Sequence, residues 1–141
     1  MTDSPQPNPG LASEAAALRA MNAGLRAALD LVDAYVYTKD RAGRYTFANQ
    51  KVRQLFGRSL DDICGRDDSD FFDLALSNEL KANDARVMEE AQTFEREERN
   101  IVKSTGEERI YWTVKSPLRD DRGEVIGMCG VSTDITGRPR N

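Results

Sequence analysis

The last third of the chain constrains the fold most, because three β-type segments follow one another there with only short turns between them. They cover residues 93–102, 109–118 and 125–133. Short turns join antiparallel neighbours, since parallel strands need a crossover of a dozen or more residues. The third segment is the most apolar and is predicted to be central, whereas charges on both faces of the first predict an edge strand.

A hairpin earlier in the chain adds two more strands. Residues 34–39 and 45–48 are rich in aromatic and β-branched side chains, and the turn between them contains Gly43. Short helices are expected after Asn49 and Ser59, both good N-caps, and a longer helix is expected over 77–91. Two strands, several helices and three antiparallel strands together predict an α+β domain, with a five-stranded antiparallel sheet covered by helices on one face.

The first 32 residues divide into a tail and a helix. Three of the five prolines lie within residues 1–10, which predicts a disordered tail. Residues 11–32 are mainly Ala, Leu, Arg and Met, which predicts an amphipathic helix. Its seven-residue spacing gives the candidate dimer interface Leu11, Leu18, Met21, Leu25 and Val32. Because Glu14 interrupts this pattern, two interpretations stay open: an intermolecular coiled coil, or a helix packed on its own domain.

The composition excludes several kinds of chemistry. With no histidine, the chain can form neither a Ser-His-Asp triad nor a histidine-ligated zinc or haem site. A net charge of −4 argues against binding to nucleic acid. The longest apolar stretch, 125–131, is too short for a membrane span, and no signal peptide opens the chain, so we expect a cytoplasmic protein without membrane contact. Cys64 and Cys129 are expected to be free thiols, and paired aspartates at helix starts and turns predict no metal site.

Three motifs in a fixed order are typical of one family. They read Y-T-K-D-x-x-G-x-Y-x-x-A-N over 37–49, L-F-G-x-S-x-x-D-I-x-G over 55–65, and P-L-R-D-x-x-G-x-V-x-G-x-x-G-V-S-T-D-I-T over 117–136. Over about residues 30–136 the chain resembles the PAS domains of bacterial sensor proteins. The resemblance implies the strand order 2-1-5-4-3, a small cavity between sheet and helices, and a sensory or dimerising role in a larger protein.

The expected domain organisation follows from this resemblance. A PAS domain is expected over 33–136, and residues 137–141 begin a linker to an effector beyond Asn141. Light-sensing flavin relatives carry a reactive cysteine three residues after the glycine that matches Gly65, where this chain has Asp68. Haem-binding relatives use a histidine that is missing here. A flavin adduct and a histidine-ligated haem are therefore disfavoured, and the cofactor is unknown.

Strand alternation predicts which side chains line the cavity. If Ser132 faces inward, as in flavin-binding relatives, Ile126 shares its face. The candidate strand residues are Tyr35, Tyr37, Tyr111, Thr113, Lys115, Met128, Gly130 and Ser132, with Phe47, Phe56 and Phe71 closing the cavity. A buried Lys115 needs an anionic ligand or Asp40 as its partner, and the alternative is that it reaches water at the rim. Gly127 and Gly130 indicate close backbone approach within the central strand.

The function expected from these features is that of a non-catalytic sensory domain in a histidine kinase or diguanylate cyclase. We expect a homodimer, a small-molecule ligand, and signal output through Asp134, Ile135 and Thr136. Asp134 is expected to accept a hydrogen bond from the backbone N–H two residues on. The alternatives are a ligand-free dimerisation module and, more remotely, a small cofactor-dependent enzyme.

Overall fold

The computed structural model describes residues 8–74 and 80–137. Its helices are α1 (Pro9–Asp30), α2 (Gln50–Phe56), α3 (Leu60–Ile63) and α4 (Leu80–Glu90), with a 3-10 helix at Asp68–Asp70 between α3 and α4. Its strands are β1 (Tyr35–Asp40), β2 (Tyr45–Ala48), β3 (Phe94–Ile101), β4 (Glu108–Arg119) and β5 (Val125–Asp134). All five predicted strands are present, with ends within one residue of the expected ones.

The five strands form one antiparallel sheet in the order β2-β1-β5-β4-β3. This confirms the α+β class and the order implied by the family resemblance. The apolar strand β5 is central, between β1 and β4. The edge strand β3 exposes Glu95, Glu97 and Arg99 on the face away from the helices, and such charges protect an edge from pairing with other chains.

Helix α1 stands apart from the rest of the domain. It begins at Pro9, two residues before the predicted start, because Asn8 caps it by accepting a hydrogen bond from the Gly10 amide at 2.9 Å. It ends at Asp30, so Val32 lies beyond the helix that was expected to include it. None of its residues is buried. Residues 1–7, the rest of the predicted tail, lie outside the described residues.

The C-terminal end of α1 is tied to α2. Asp30 accepts hydrogen bonds from the Gln50 amide at 2.8 Å and from Arg53 at 3.1 and 3.2 Å. Asn49 caps α2, as predicted, and its side chain also bonds to the backbone of Leu29, Ala34 and Val36. These contacts hold the end of α1 against the domain while its length projects outward.

The core lies between the sheet and the helices α2, α3 and α4. Its larger cluster is aromatic and aliphatic, and a smaller one joins Val87 and Met88 of α4 to Met128 of β5. Helix α4 ends at Glu90, close to its predicted end, while the first three residues of the prediction, 77–79, lie outside the described part of the chain. None of the helices in the described ranges is long and apolar enough to cross a membrane.

Strand β5 approaches the backbone of β1 closely at Gly127, and its pairing with β4 contains a register shift. A Cβ at Gly127 would overlap the backbone carbonyl of Lys39, which confirms the predicted backbone approach there, whereas the neighbour of Gly130 is the Tyr37 ring. Leu118 pairs with Gly127 and Arg119 with Val125, so a bulge interrupts the register between β4 and β5. The prediction that Ile126 faces inward is wrong, because this bulge shifts the alternation and leaves Ile126 half exposed.

Candidate functional site

A small cavity lies between the sheet and the helices α2 and α4. Its volume is about 30 Å³. The lining side chains come from all five strands, two helices and the segment after the 3-10 helix. They are Tyr35, Tyr37, Lys39, Tyr45, Val52, Leu55, Phe56, Phe72, Leu80, Glu98, Asn100, Tyr111 and Ser132. The cavity therefore sits where the family resemblance implies one.

Aromatic residues make up six of its thirteen lining residues. Tyr45 makes edge-to-face contacts with Tyr37, Phe56 and Phe71 at centroid distances of 6.0, 5.7 and 5.6 Å. Phe56 and Phe71 stack in parallel at 4.1 Å. Such contacts add to the free energy gained from burial and hold the rings in defined orientations.

Tyr111 lines this cavity and has a buried, unpartnered hydroxyl. It is 3% exposed, its ring meets that of Tyr35 at 5.5 Å, and its hydroxyl has no hydrogen-bond partner among the described residues. Burial raises the pKa of Tyr111, so the hydroxyl keeps its proton and can donate it. Its neighbour Trp112 is half exposed on the other face of β4, as strand alternation predicts.

Asp84 on α4 is the centre of a buried charge network beside the cavity. Its Oδ2 accepts a hydrogen bond from Lys39 Nζ of β1 at 2.5 Å, and its Oδ1 accepts one from Lys115 Nζ of β4 at 2.6 Å. All three residues are at most 4% exposed. The carboxylate therefore joins α4 to the two strands that flank β5.

Two more carboxylates complete the network. Lys39 Nζ also donates to Asp68 Oδ2 at 2.5 Å, and Lys115 Nζ donates to Glu98 Oε2 at 2.7 Å. The hydroxyl of Tyr45 donates to the other oxygen of Asp68. Each of the two ammonium groups thus has two carboxylate partners, which is the condition under which charges are tolerated in a protein interior.

The network also reaches the edge strand β3. Asn83, beside Asp84 on α4, donates to Glu98 Oε2 at 2.8 Å and accepts from Arg96 at 3.2 Å. Helix α4 is therefore fastened by polar contacts to β1, β3 and β4.

The pKa shifts follow from this pairing. Burial alone would lower the pKa of Lys39, but Asp68 and Asp84 outweigh it and the pKa is raised. For Lys115 the same burial effect is outweighed by Asp84 and Glu98. Burial would raise the pKa of Asp84, but the two lysines lower it. All three groups are therefore held in their charged forms at neutral pH.

The structure brings some of the predicted cavity residues to the cavity and places others elsewhere. Those that line it are Tyr35, Tyr37, Phe56, Tyr111 and Ser132. Phe71 stacks behind Phe56, and Thr113 bonds to Ser132 at 2.9 Å. Met128 belongs to the smaller core cluster, and Gly130 lies against the Tyr37 ring.

Two expectations about single residues are wrong. Lys115 neither reaches water nor pairs with Asp40, because Asp84 and Glu98 hold it in the interior. Phe47 does not line the cavity. It pairs with Thr38, while Tyr45 pairs with Lys39, so a register irregularity gives the inward position to the tyrosine.

The prediction missed Lys39 and Asp84, although their positions in the sequence pattern indicate that both face the core. Lys39 follows Tyr35 and Tyr37 at the two-residue period of a strand, so alternation alone indicates that it faces inward. Asp84 lies four residues after Leu80 and three before Val87, on the apolar side of α4. Charged residues at such positions need buried partners, and this could have predicted the network.

The C-terminal junction is held by a local turn and a cross-strand ion pair. As predicted, Asp134 accepts a hydrogen bond from the Thr136 amide, at 2.9 Å. Its other oxygen accepts one from Arg109 at 2.9 Å, and Ile135 N donates to Ile110 O at 2.8 Å. The pKa of Asp134 is lowered, since the bonds from Thr136 and Arg109 outweigh burial.

The described acidic and cysteine side chains do not form a cluster of metal ligands. Among the residues that the structure describes, no three acidic or cysteine side chains are arranged to hold a metal ion. Cys64 and Cys129 are free thiols, as predicted.

The sheet, its helices and the junction correspond to a known family. Residues 29–140 match the family described as the PAS fold. The chain belongs to the PAS family. The match begins at the end of α1, so the projecting helix precedes the PAS domain.

This PAS domain is similar to parts of longer signalling proteins. It is 42% identical to a diguanylate cyclase of Vibrio cholerae over 109 residues, which are 77% of this chain and 34% of that relative. It is 31% identical to the methanogenesis regulatory histidine kinase FilI of Methanothrix harundinacea over 111 residues, 79% of this chain and 12% of the kinase. The chain thus spans about a third or less of these relatives.

A solved structure shares the fold. The complex of Vibrio cholerae VqmA with its ligand and DNA superimposes with a TM-score of 0.67 at 24% sequence identity. The superposition covers 76% of this chain and 48% of VqmA. At this level of identity, the likeness establishes the PAS fold alone.

Proposed function

We propose that this chain is the cytoplasmic sensory domain of a larger bacterial signalling protein and binds a small ligand in its cavity. The observation that carries the proposal is the unpartnered hydroxyl of Tyr111, buried at the wall of an aromatic cavity. A buried hydroxyl without a partner costs free energy, and a bound molecule can remove that cost. VqmA, which shares the fold, has been solved bound to DPO. In this proposal the domain is non-catalytic, and an effector of the kinase or cyclase type lies beyond Asn141.

The proposed signal route runs from the cavity to the C-terminal junction. Tyr35 lines the cavity, and its hydroxyl accepts a hydrogen bond from Arg109 at 3.5 Å. The same guanidinium holds Asp134 at 2.9 Å, and Asp134 holds the Thr136 amide. A ligand that displaces Tyr35 would therefore act on the side chain that sets the exit of the chain.

The ligand hypothesis is tested by extraction. Purified protein is denatured, and the released small molecules are identified by mass spectrometry. We expect a molecule in amounts near one per chain, no flavin or haem absorbance, and loss of the molecule in Gly130→Leu. A side chain at position 130 would overlap the Tyr37 ring and push it into the cavity. Wild-type protein that releases nothing would favour the ligand-free dimerisation module.

Asp134→Ala tests the output route. The domain should stay folded and lose about 0.5–2 kcal/mol, the usual contribution of such a side-chain cap. In the full-length protein, the difference between stimulated and unstimulated effector activity should disappear. Asp120→Ala is the matched control, because Asp120 caps the β4–β5 turn with bonds to Arg122 and Glu124 at 2.9 and 3.0 Å, away from the exit. If the effector activity of Asp134→Ala still responds fully to the stimulus, Asp134 is only a structural cap.

Dimerisation through α1 is the second function that an observation favours. Its apolar stripe is left in solvent, with Leu11, Leu18, Met21 and Leu25 each more than half exposed. Uncovered apolar residues at seven-residue spacing are typical of a helix that pairs with a second copy. VqmA has been described as a dimer.

Charge placed on the apolar stripe should separate the copies. In analytical ultracentrifugation we expect a dimer for wild type and a monomer for Leu18→Lys/Leu25→Lys or after removal of residues 1–30. Ala16→Lys/Ala23→Lys adds the same charge to the opposite face of α1 and should stay dimeric. If the leucine variants remain dimeric, the contact moves to the open sheet face around Trp112, and a monomeric wild type would contradict the proposal.

A further inference from the structure

The charges at the cavity wall are already paired, and this limits which molecules can bind there. The inference rests on the proposed function. Lys39 and Glu98 are the charged side chains among the described lining residues. Lys39 is held by Asp68 and Asp84, and Glu98 by Lys115 and Asn83. Among the described lining residues, an ionic ligand would find no free counter-charge, and burying an unpaired ion is costly.

The Tyr111 hydroxyl offers what a neutral ligand needs. It is buried, protonated and without a partner among the described residues, so it can donate a hydrogen bond to a carbonyl or ring-nitrogen acceptor. Two other tyrosine hydroxyls on the wall are engaged, because Tyr45 donates to Asp68 and Tyr35 accepts from Arg109.

The shape of the wall favours a planar molecule. Tyr35 meets Tyr111 and Tyr45 meets Phe56 edge to face, at 5.5 and 5.7 Å between ring centroids, and all four residues line the cavity. Flat rings fit such walls by offset or edge-to-face contact. We propose that the cavity binds an uncharged, planar molecule whose hydrogen-bond acceptor is held by the Tyr111 hydroxyl.

Room for this molecule comes from the Phe56 side. A cavity of about 30 Å³ holds one or two water molecules. Phe56 separates it from a surface pocket of about 230 Å³, which Phe71, Arg58 and Lys103 also line. Movement of the stacked Phe56–Phe71 pair toward this pocket opens the cavity without breaking the charge network.

The test uses benzamide and benzoate as probes, because they share a ring and shape and differ in charge. Titration by nuclear magnetic resonance should show that benzamide binds and shifts the signals of Tyr111 and Tyr35. Benzoate should bind at least about tenfold more weakly. Tyr111→Phe should weaken benzamide binding about five- to tenfold, the usual effect of one hydrogen bond. Thr113→Val is the matched control, because its buried hydroxyl is paired with Ser132 and does not line the cavity, and it should change binding less than about twofold.

The melting temperature without a probe gives an independent readout. Tyr111→Phe removes an unpartnered polar atom and should raise the melting temperature by a few degrees, while Thr113→Val removes a paired hydroxyl and should lower it. A lower value for Tyr111→Phe would overturn the inference, and so would benzoate binding as tightly as benzamide. Absence of binding by both probes also contradicts it. In each case the extraction experiment decides separately whether ligand sensing itself fails.

Discussion

Replacing Asp84 with asparagine is expected to lower the free energy of unfolding by about 3–5 kcal/mol. The substitution keeps the shape of the side chain but leaves Lys39 and Lys115 buried with one carboxylate each instead of two. Water cannot replace the lost carboxylate, because the ammonium group is buried. Urea unfolding followed by circular dichroism measures the loss.

Glu90→Gln is the matched control for this effect. Glu90 lies on the same helix and forms an ion pair with Arg86 at 3.2 Å, but both side chains are more than half exposed. Its loss should cost less than about 0.5 kcal/mol, because solvent screens exposed pairs. If Asp84→Asn were no more harmful than Glu90→Gln, the network would not be what fastens α4 to the sheet.

The same network predicts how stability depends on pH. The pKa of Asp84 is lowered from 3.8 in the folded protein, so its stabilising contribution is present above about pH 4 and is lost as the pH falls through the lowered value. The pKa values of Lys39 and Lys115 are raised from 10.5, so their contribution is present below that pH and is lost as the pH rises through the raised values. Unfolding measured from pH 2 to 7 should show a smaller acid-side slope in Asp84→Asn than in wild type.

Gly127→Ala is expected to lower the free energy of unfolding by at least about 3 kcal/mol, or to prevent folding. The added methyl group would overlap the carbonyl oxygen of Lys39 on the adjacent strand. Backbone cannot rotate away as a flexible side chain can, so β1 and β5 would have to separate. That separation would also disturb Lys39 and hence the charge network. Thermal unfolding and far-ultraviolet circular dichroism measure the effect.

Gly24→Ala is the control with the same chemical change. Gly24 is in the middle of α1, and apart from the backbone of that helix and the two chain neighbours, no atom of the described residues lies within 4 Å of a Cβ there. Alanine favours a helix over glycine, so this variant should be as stable as wild type or gain up to about 1 kcal/mol. If Gly127→Ala has the same melting temperature as wild type, β1 and β5 tolerate a wider spacing.

The charge network and the cavity share a wall, and this links stability to the proposed sensing. Lys39 and Glu98 border both. Because each charge is paired inside the protein, the polar side of the cavity is held in place, whereas the side chains of Phe56 and Phe71 make apolar ring contacts. The aromatic side is therefore where the cavity can adapt to a ligand at lower cost.

Local structure could be predicted because nearby residues determine it. Asn49 and Ser59 cap helices, Gly57 ends α2 in the left-handed conformation, and Asp134 bonds to the amide two residues on. Each of these depends on groups only a few positions apart: a side chain and a backbone amide for the caps, and the backbone itself for Gly57. The strand order was not available from such patterns and came from the family resemblance.

The candidate site could be predicted only in part. Alternation along regular strands brought Tyr35, Tyr37, Tyr111 and Ser132 to the cavity. It failed at Phe47, where one extra residue in a strand reverses which side chains face inward. A single sequence contains no clear signal for such a bulge.

By itself, the sequence determined the secondary structure, the α+β class and the inward face of the regular strands, because these depend on local propensity and a two-residue period. Only the tertiary structure decided that Lys115 meets Asp84 and Glu98, which are 31 and 17 positions away along the chain. It also decided that Tyr111 is left without a partner. Both outcomes depend on how α4 and β3 approach β4. A buried charge needs a partner, but the sequence does not show which distant residue provides it.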